Sequence, residues 1–294
     1  MKTSFVSIIS TIIIALIVSM AVNRFMAPPR APALSLAAEP TYERIKKSGV
    51  IRCGYFLWPP FLMKDPNTGI MSGVVPDYIE QLAKGLNLRV EWKEEIGLAD
   101  FAAALDTGRV DVICGPITAA SQRIAQAYFT DPIVYAEFRA YSRAGDSRFD
   151  GNLAAIDSPD VTISTMEGEL SGIIARRTFP KAKVLEITSM QGPVQIMMNV
   201  ATKKADICFM DPQSGQDFIK NNPGSLKEVA AKEPYIIVGA SFAIKMGEDK
   251  FLQMMNKSGQ ELYNTGFIQK LLRKYGVSEQ DIYLPAKLYR APNS

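Results

Sequence analysis

The chain contains no histidine, which excludes catalytic triads built on imidazole and metal centres with imidazole ligands. Cysteine is almost as rare: Cys53, Cys114 and Cys208 are widely spaced and form no C-x-x-C pair. All three fall in predicted strands, where a buried free thiol is the default. Cys53 and Cys114 lie on strands expected to be neighbours, so in an oxidising compartment a disulfide between them stays open. There is no G-x-x-x-x-G-K-[ST] loop, G-x-G-x-x-G turn or G-x-S-x-G elbow. A large charge of one sign is missing too. The net charge is +3, and setting aside residues 1–39, with Lys2, Arg24, Arg30 and Glu39, leaves +1. That balance offers no basic field for nucleic acid. Neither a metal nor a cofactor is expected.

What is present begins with size: 294 residues, 47% of them apolar, suffice for two modest domains with cores of their own. Residues 5–22 are an uncharged apolar run of 18. Cleavable signals usually have a core of about 7–15 residues with a small-residue site close behind. Here the best such site, Ser35 to Ala38, lies well downstream, and the length fits a short membrane-spanning helix. Lys2 on one flank faces Arg24 and Arg30 on the other, so charge assigns no orientation. Residues 1–39 therefore read as a signal peptide or, preferably, an uncleaved anchor, with a proline-rich tether from Ala27 to Pro40. Either form sends the chain out of the cytoplasm.

Beyond the tether, a short helix opens near Tyr42 and closes at Gly49, and Val50 to Tyr55 is a strand. Trp58-Pro59-Pro60-Phe61 then holds an aromatic pair on a stiffened segment at the strand's C-terminal end, where ligands collect in α/β sheets. Asn67 to Gly73 reads as a turn. Helices are expected over Asp77–Asn87 and Leu98–Thr107, with a strand over Leu88–Trp92 between them. Phe101, at the start of the second helix, suits a core position as well as a pocket wall. Further on, strands are expected over Val134–Tyr141, Thr162–Met166, Ala182–Thr188, Asp206–Met210 and Tyr235–Lys245. Helices are expected over Gln191–Ala201, Leu252–Tyr263 and Ile268–Tyr275, and Leu226 to Ala231 closes a second lobe. LDTGRVDVI and VATKKADIC, aligned on Asp111 and Asp206, repeat one helix-to-strand unit.

The centre of the chain is VDVICGPITAASQRIAQAYFTDPI, from Val110 to Ile133. Asp111 to Cys114 is a short apolar run, hence a buried strand, and Gly115 with Pro116 is expected to end it. Arg123 follows in what should be the first turn of a helix, where the helix dipole would prefer an acid. That placement suggests a guanidinium aimed at an anion beyond the strand end. An exposed arginine on a surface helix is the plain alternative.

This stretch resembles the signature of the family 3 extracellular solute-binding proteins, the receptors of polar-amino-acid ABC transporters. Gly115, Thr118, Arg123 and Phe129-Thr130-Asp131-Pro132 fall at that family's spacing, and the likeness extends over about residues 41–290. It implies a two-lobed α/β type II periplasmic-binding-protein fold with a two-strand hinge and a ligand cleft between lobes, preceded by one N-terminal hydrophobic helix. Lobe 1 would comprise residues 40–136 and 232–294, and lobe 2 residues 137–231. The resemblance makes Arg123 the partner of a ligand carboxylate, Asp211 the partner of an ammonium, and Trp58 a stacking aromatic. Phe101, Gly115, Pro116 and Thr118 would line the cleft from lobe 1. From lobe 2 the residues after Gly168 would donate to the carboxylate.

At that last point the chain departs from the family, with Glu169 and Leu170 where Thr or Ser is usual. An acid there would repel a bound carboxylate. Glu169 either satisfies a helix N-terminus or pairs with a ligand cation, favouring a basic amino acid or amine. Ala120 replaces a Thr that would cap the helix before Arg123, and Ser121 or Thr118 is expected to substitute.

The resemblance therefore implies an exported, monomeric receptor in the periplasm that closes on a small polar ligand, an amino acid or similar metabolite, and serves an ABC permease. Residues 5–22 would hold it to the inner membrane if uncleaved. Two alternatives stay open: an enzyme like the cyclohexadienyl (arogenate) dehydratases, with Glu169 as general acid, and an anchored receptor for a signalling or redox partner.

Overall fold

The computed structural model describes residues 39–229, 235–277 and 282–285. The apolar run 5–22 and nearly all of the tether lie outside them, as does part of the stretch where the second lobe was expected to end. Among the described residues no helix is long and apolar enough to cross a membrane.

In chain order the elements are α1 (Thr41–Ser48), β1 (Val50–Tyr55), β2 (Met63–Lys64), β3 (Met71–Ser72), α2 (Val74–Gly85), β4 (Arg89–Glu95), α3 (Phe101–Asp106), β5 (Val112–Thr118), α4 (Ser121–Ile124), β6 (Ala127–Phe129) and β7 (Val134–Arg143). There follow β8 (Thr162–Met166), α5 (Leu170–Thr178), β9 (Lys183–Ile187), α6 (Pro193–Ala201), β10 (Ile207–Met210), α7 (Pro212–Asn221) and β11 (Leu226–Glu228). The chain ends with β12 (Ile236–Lys245), α8 (Asp249–Asn264), α9 (Phe267–Lys274) and β13 (Ile282–Tyr283). The hairpin of β2 and β3 replaces part of the expected turn. Helix α2 begins three residues before its expected start, because Pro76 falls in its first turn, where no N–H partner is needed.

The strands run in the order β4-β1-β5-β12-β7-β10-β8-β9. Strand β1 pairs in parallel with β4 and β5, and β8 in parallel with β9 and β10. These are the two α/β lobes. Between them β7 and β12 run antiparallel, from Val134↔Ala240 to Phe138↔Ile236. Strand β12 continues into the first lobe against β5, and β7 into the second against β10. Each hinge strand is thus anchored at one end in a different sheet. Alternate residues of β10 face opposite ways: Cys208 and Met210 join the larger core, whereas Ile207 and Phe209 join a second core with Phe149, Ile163 and Ile174.

Strand β5 corrects one expectation. It does not stop at Cys114 but runs through Gly115 and Pro116 to Thr118. Proline has no N–H for the ladder and is tolerated in strands mainly at edges and bulges. Here the pairing with β12 shifts register between Ser241 and Ala243. Phe242, left over at that irregularity, donates its N–H to the Thr130 hydroxyl at 2.9 Å.

Two links tie β1 to β5 beyond the ladder. Cys53 and Cys114 form a disulfide, so the free-thiol default fails for this pair and holds for buried Cys208. Asp111, 2% exposed, accepts from the Arg52 backbone N–H at 2.7 Å and from its guanidinium, also at 2.7 Å, and pairs with Arg44.

Candidate functional site

The cleft is assembled from loop residues just past strand ends, where an open α/β sheet exposes backbone groups and helix starts. After β1 the chain makes a tight excursion: Trp58 and Leu62 exchange backbone hydrogen bonds of 2.8 and 2.9 Å around Pro59-Pro60. This closed loop fixes the indole of Trp58, which is only 7% exposed. Phe56 packs edge-on against it. A side chain at Gly115 would collide with the Phe56 ring at 2.5 Å, so the glycine allows Phe56 its place.

After β5, helix α4 has four residues, and its N-cap, Ala120, offers no side-chain acceptor. Neither Ser121 nor Thr118 supplies the expected cap. Instead the Thr118 carbonyl accepts from Arg123 at 2.8 Å. Arg123 is 6% exposed, which rules out the surface-arginine alternative. Its other terminal nitrogen donates to the carbonyl of Gly168 on the opposite lobe. Burial pulls the guanidinium pKa below its ordinary value, and the charge of Glu169 opposes that shift.

The second lobe contributes two helix N-caps. Gly168 has φ 71°, in the left-handed region, which lets the chain turn from β8 into α5. Glu169 then caps α5, accepting from the Ser171 N–H at 2.6 Å. Asp211 caps α7 through the Ser214 N–H at 2.9 Å, and Pro212 occupies the first position of that helix. The second carboxylate oxygen of Asp211 accepts from the Trp58 indole N–H at 3.2 Å, again across the cleft. Glu169 is 5% and Asp211 6% exposed. Burial pushes both carboxyl pKa values up, partly offset by the capping hydrogen bonds.

Trp58, Pro116, Thr118, Arg123, Glu169 and Asp211 line one cavity, whose empty space measured out to open solvent is about 570 Å³. Four expected residues do not line it. Phe101 is 4% exposed and packs on Phe129 in the core. Leu170 turns into the second core. Gly115 stands behind Phe56, and Gly168 meets Arg123 through its carbonyl alone. Phe61, the second aromatic of the Trp58-Pro59-Pro60-Phe61 stretch, also lines the cavity, and so do Phe56 and Leu98 and the hinge residues Ala136, Phe138 and Val238, which the sequence did not single out. The hinge residues carried no local signal beyond strand propensity. Phe56, two residues before Trp58, carries the one usable signal, an aromatic beside that motif. Among the described residues no cluster of three or more cysteines and acids could hold a metal ion.

Two lobes on a two-strand hinge, with opposite charges buried in the cleft between them, define a ligand-closing receptor architecture. The chain belongs to the bacterial extracellular solute-binding proteins, family 3, whose model matches residues 51–278. It is similar to the histidine-binding periplasmic protein of Salmonella typhimurium, 23% identical over 232 residues that cover 74% of this chain and 84% of that protein. Among solved structures it resembles a cysteine-binding protein from Campylobacter jejuni, with a TM-score of 0.71, 20% identity and coverage of 84% of this chain and all (100%) of that one. It also resembles an ancestral amino acid-binding protein described as a precursor of cyclohexadienyl dehydratase, with a TM-score of 0.69, 24% identity and coverage of 80% and 99%. These two structures support the fold.

Proposed function

We propose that this protein is a periplasmic receptor that closes on an amino acid or amino-acid-like metabolite and presents it to an ABC permease. The observation that carries the reading is the burial of Arg123 and Asp211, charges of opposite sign from opposite lobes, in one cavity. A planar guanidinium receives a carboxylate through two parallel hydrogen bonds, and an aspartate receives an ammonium. Trp58 supplies an apolar surface beside Asp211, and Thr118 adds a hydroxyl. Ligand contacts to both lobes exist together only in the closed state, so binding shifts the population toward closure.

In this reading lobe 1 is residues 40–136 with 232–294 and lobe 2 is residues 137–231, supported by the way β7 and β12 each enter a different sheet. The receptor acts as a monomer and releases its ligand unchanged. Residues 5–22 serve as a signal peptide or, if uncleaved, as an inner-membrane anchor, and mass spectrometry of the exported protein separates the two by showing whether residues 1–38 are retained.

Calorimetry with an amino-acid panel on the wild type and Arg123→Ala tests the site. Charge-assisted hydrogen bonds are worth about 1.5–3 kcal/mol each, so the variant should lose about 100-fold or more in affinity. Equal affinity in the variant removes Arg123 from the site. The buried Glu169 also supports a second reading, as the general acid of a dehydratase. Release of an aromatic product from prephenate or arogenate would establish it.

A further inference from the structure

We propose that Glu169 sets the charge class of the ligand: the cleft is built for a molecule with one net positive charge, namely a basic amino acid. This rests on the amino-acid reading of the cleft and specifies it.

Among the residues lining the cavity, the charged groups are Arg123, Glu169 and Asp211, one cation against two anions. All three are at most 6% exposed, so bulk water does little to screen the imbalance. A neutral zwitterion laid between Arg123 and Asp211 matches those two and leaves Glu169 facing a closed cavity without a counter-charge. A buried charge deprived of its partner is strongly unfavourable. A dicarboxylic amino acid makes the imbalance worse. A ligand with a carboxylate and two cationic groups restores neutrality, because the second cation answers Glu169.

The capping role of Glu169 does not remove its charge from the account. One carboxylate oxygen accepts from Ser171, and an uncharged Ser, Thr or Asn would cap the same helix as well. The direct hydrogen bonds of Arg123 go to the carbonyls of Thr118 and Gly168. Arg123 and Glu169 attract through space, but no ion pair within 4.0 Å joins them among the described residues, so the guanidinium makes no direct bond to this acid. Glu169 is thus a carboxylate in the cleft wall that neither helix capping nor the arginine requires.

The test is calorimetry of the full exported protein with L-arginine, L-lysine, L-glutamine and L-argininamide, on the wild type and Glu169→Gln. Glutamine matches the polarity of a basic side chain without its charge, and argininamide lacks the carboxylate. The wild type should favour arginine or lysine over glutamine by at least about tenfold, the equivalent of about 1.4 kcal/mol. Glu169→Gln should bring that ratio close to one, mainly by weakening the basic ligands. Glu169→Ser retains a capping oxygen and should behave alike, which separates charge from folding. An unchanged ratio in both variants, or equal binding of glutamine by the wild type, overturns the assignment of Glu169. Failure of the amino-acid reading has a different signature: argininamide would bind as tightly as arginine, and Arg123→Ala would leave both unaffected.

Discussion

The Trp58 indole and the Asp211 carboxylate are 153 positions apart in the chain and 3.2 Å apart in space. Their hydrogen bond joins the two lobes at the point where an ammonium is proposed to bind. Trp58→Phe keeps the aromatic surface and removes the donor, and ligand affinity should fall by about tenfold, as expected for a hydrogen bond to a charged group. Trp58 can also report closure. The only other tryptophan, Trp92, sits in β4 and donates to Glu80. In a Trp92→Phe background, ligand should change the emission of Trp58; no change would mean that the indole is remote from the ligand.

Gly168 offers a way to oppose closure without replacing a charged side chain, although its carbonyl accepts from Arg123. A Cβ at this position would come within 2.6 Å of the backbone of Leu98 and Ala99 on the facing lobe. Backbone atoms cannot rotate away, so Gly168→Ala should prop the lobes apart, and its φ of 71° adds local strain. We expect at least about tenfold weaker binding and a larger radius of gyration with ligand by X-ray scattering. Wild-type compaction in the variant would dismiss this steric role.

The buried carboxylates predict an unusual pH dependence. Burial raises the folded-state pKa of both Glu169 and Asp211, so the folded protein holds these protons to higher pH than the unfolded chain does. Stability contributed by these groups is therefore lost as pH rises from the ordinary carboxylate range, about pH 4, through the raised native values. Asp211→Asn removes one such charge and keeps an equally good helix cap. Without ligand, this variant should melt above the wild type at neutral pH, by about 2–4 °C for each kcal/mol relieved. The difference should shrink on acidification toward pH 4. A wild type that melts higher at every pH would show that Asp211 is stabilising as an anion.

Cys53 and Cys114 close a loop with a sequence separation of 61. Cross-links of this span typically contribute about 2–4 kcal/mol. Cys53→Ser with Cys114→Ser should lower the melting temperature accordingly, while ligand specificity stays unchanged because neither sulfur lines the cleft. Cys208 is buried, and burial also pushes its thiol pKa up. The native protein should thus leave a thiol reagent unreacted, and unfolding without reductant should expose one thiol. Two further thiols before reduction would contradict the disulfide.

Local pattern carried much of the architecture. Strand β1 matches its expected bounds, as does β8. Asp211 before Pro212 was legible as a strand end, and the following proline suits the first turn of a helix. Gly115-Pro116 predicts a strand end because that pair usually breaks a ladder; β5 continues because Cys114, Gly115 and Pro116 lie between the paired positions Ile113↔Ala243 and Ile117↔Ser241, where the register shifts. The placement of Arg123 depended on resemblance, because its four-residue helix has almost no periodicity. Phe101 and Leu170 are cleft candidates through the resemblance, and both pack in cores, because a position in a family pattern does not say whether an apolar side chain turns to the cavity or to the core behind it. Glu169 showed the opposite ambiguity, as one residue both caps a helix and faces the cleft.

Strands β7 and β12 lie side by side, with Glu137 opposite Ile237. The polypeptide between them consequently departs and comes home through a single doorway, its two leads about 4.8 Å apart. Such a cassette can be excised from one receptor and spliced into another at two neighbouring joints. Under the proposed function, two of the three charged groups of the cavity, Glu169 and Asp211, would travel with it. On the same reading, recombination at that doorway would change the charge of the cavity while leaving the rest of the receptor intact.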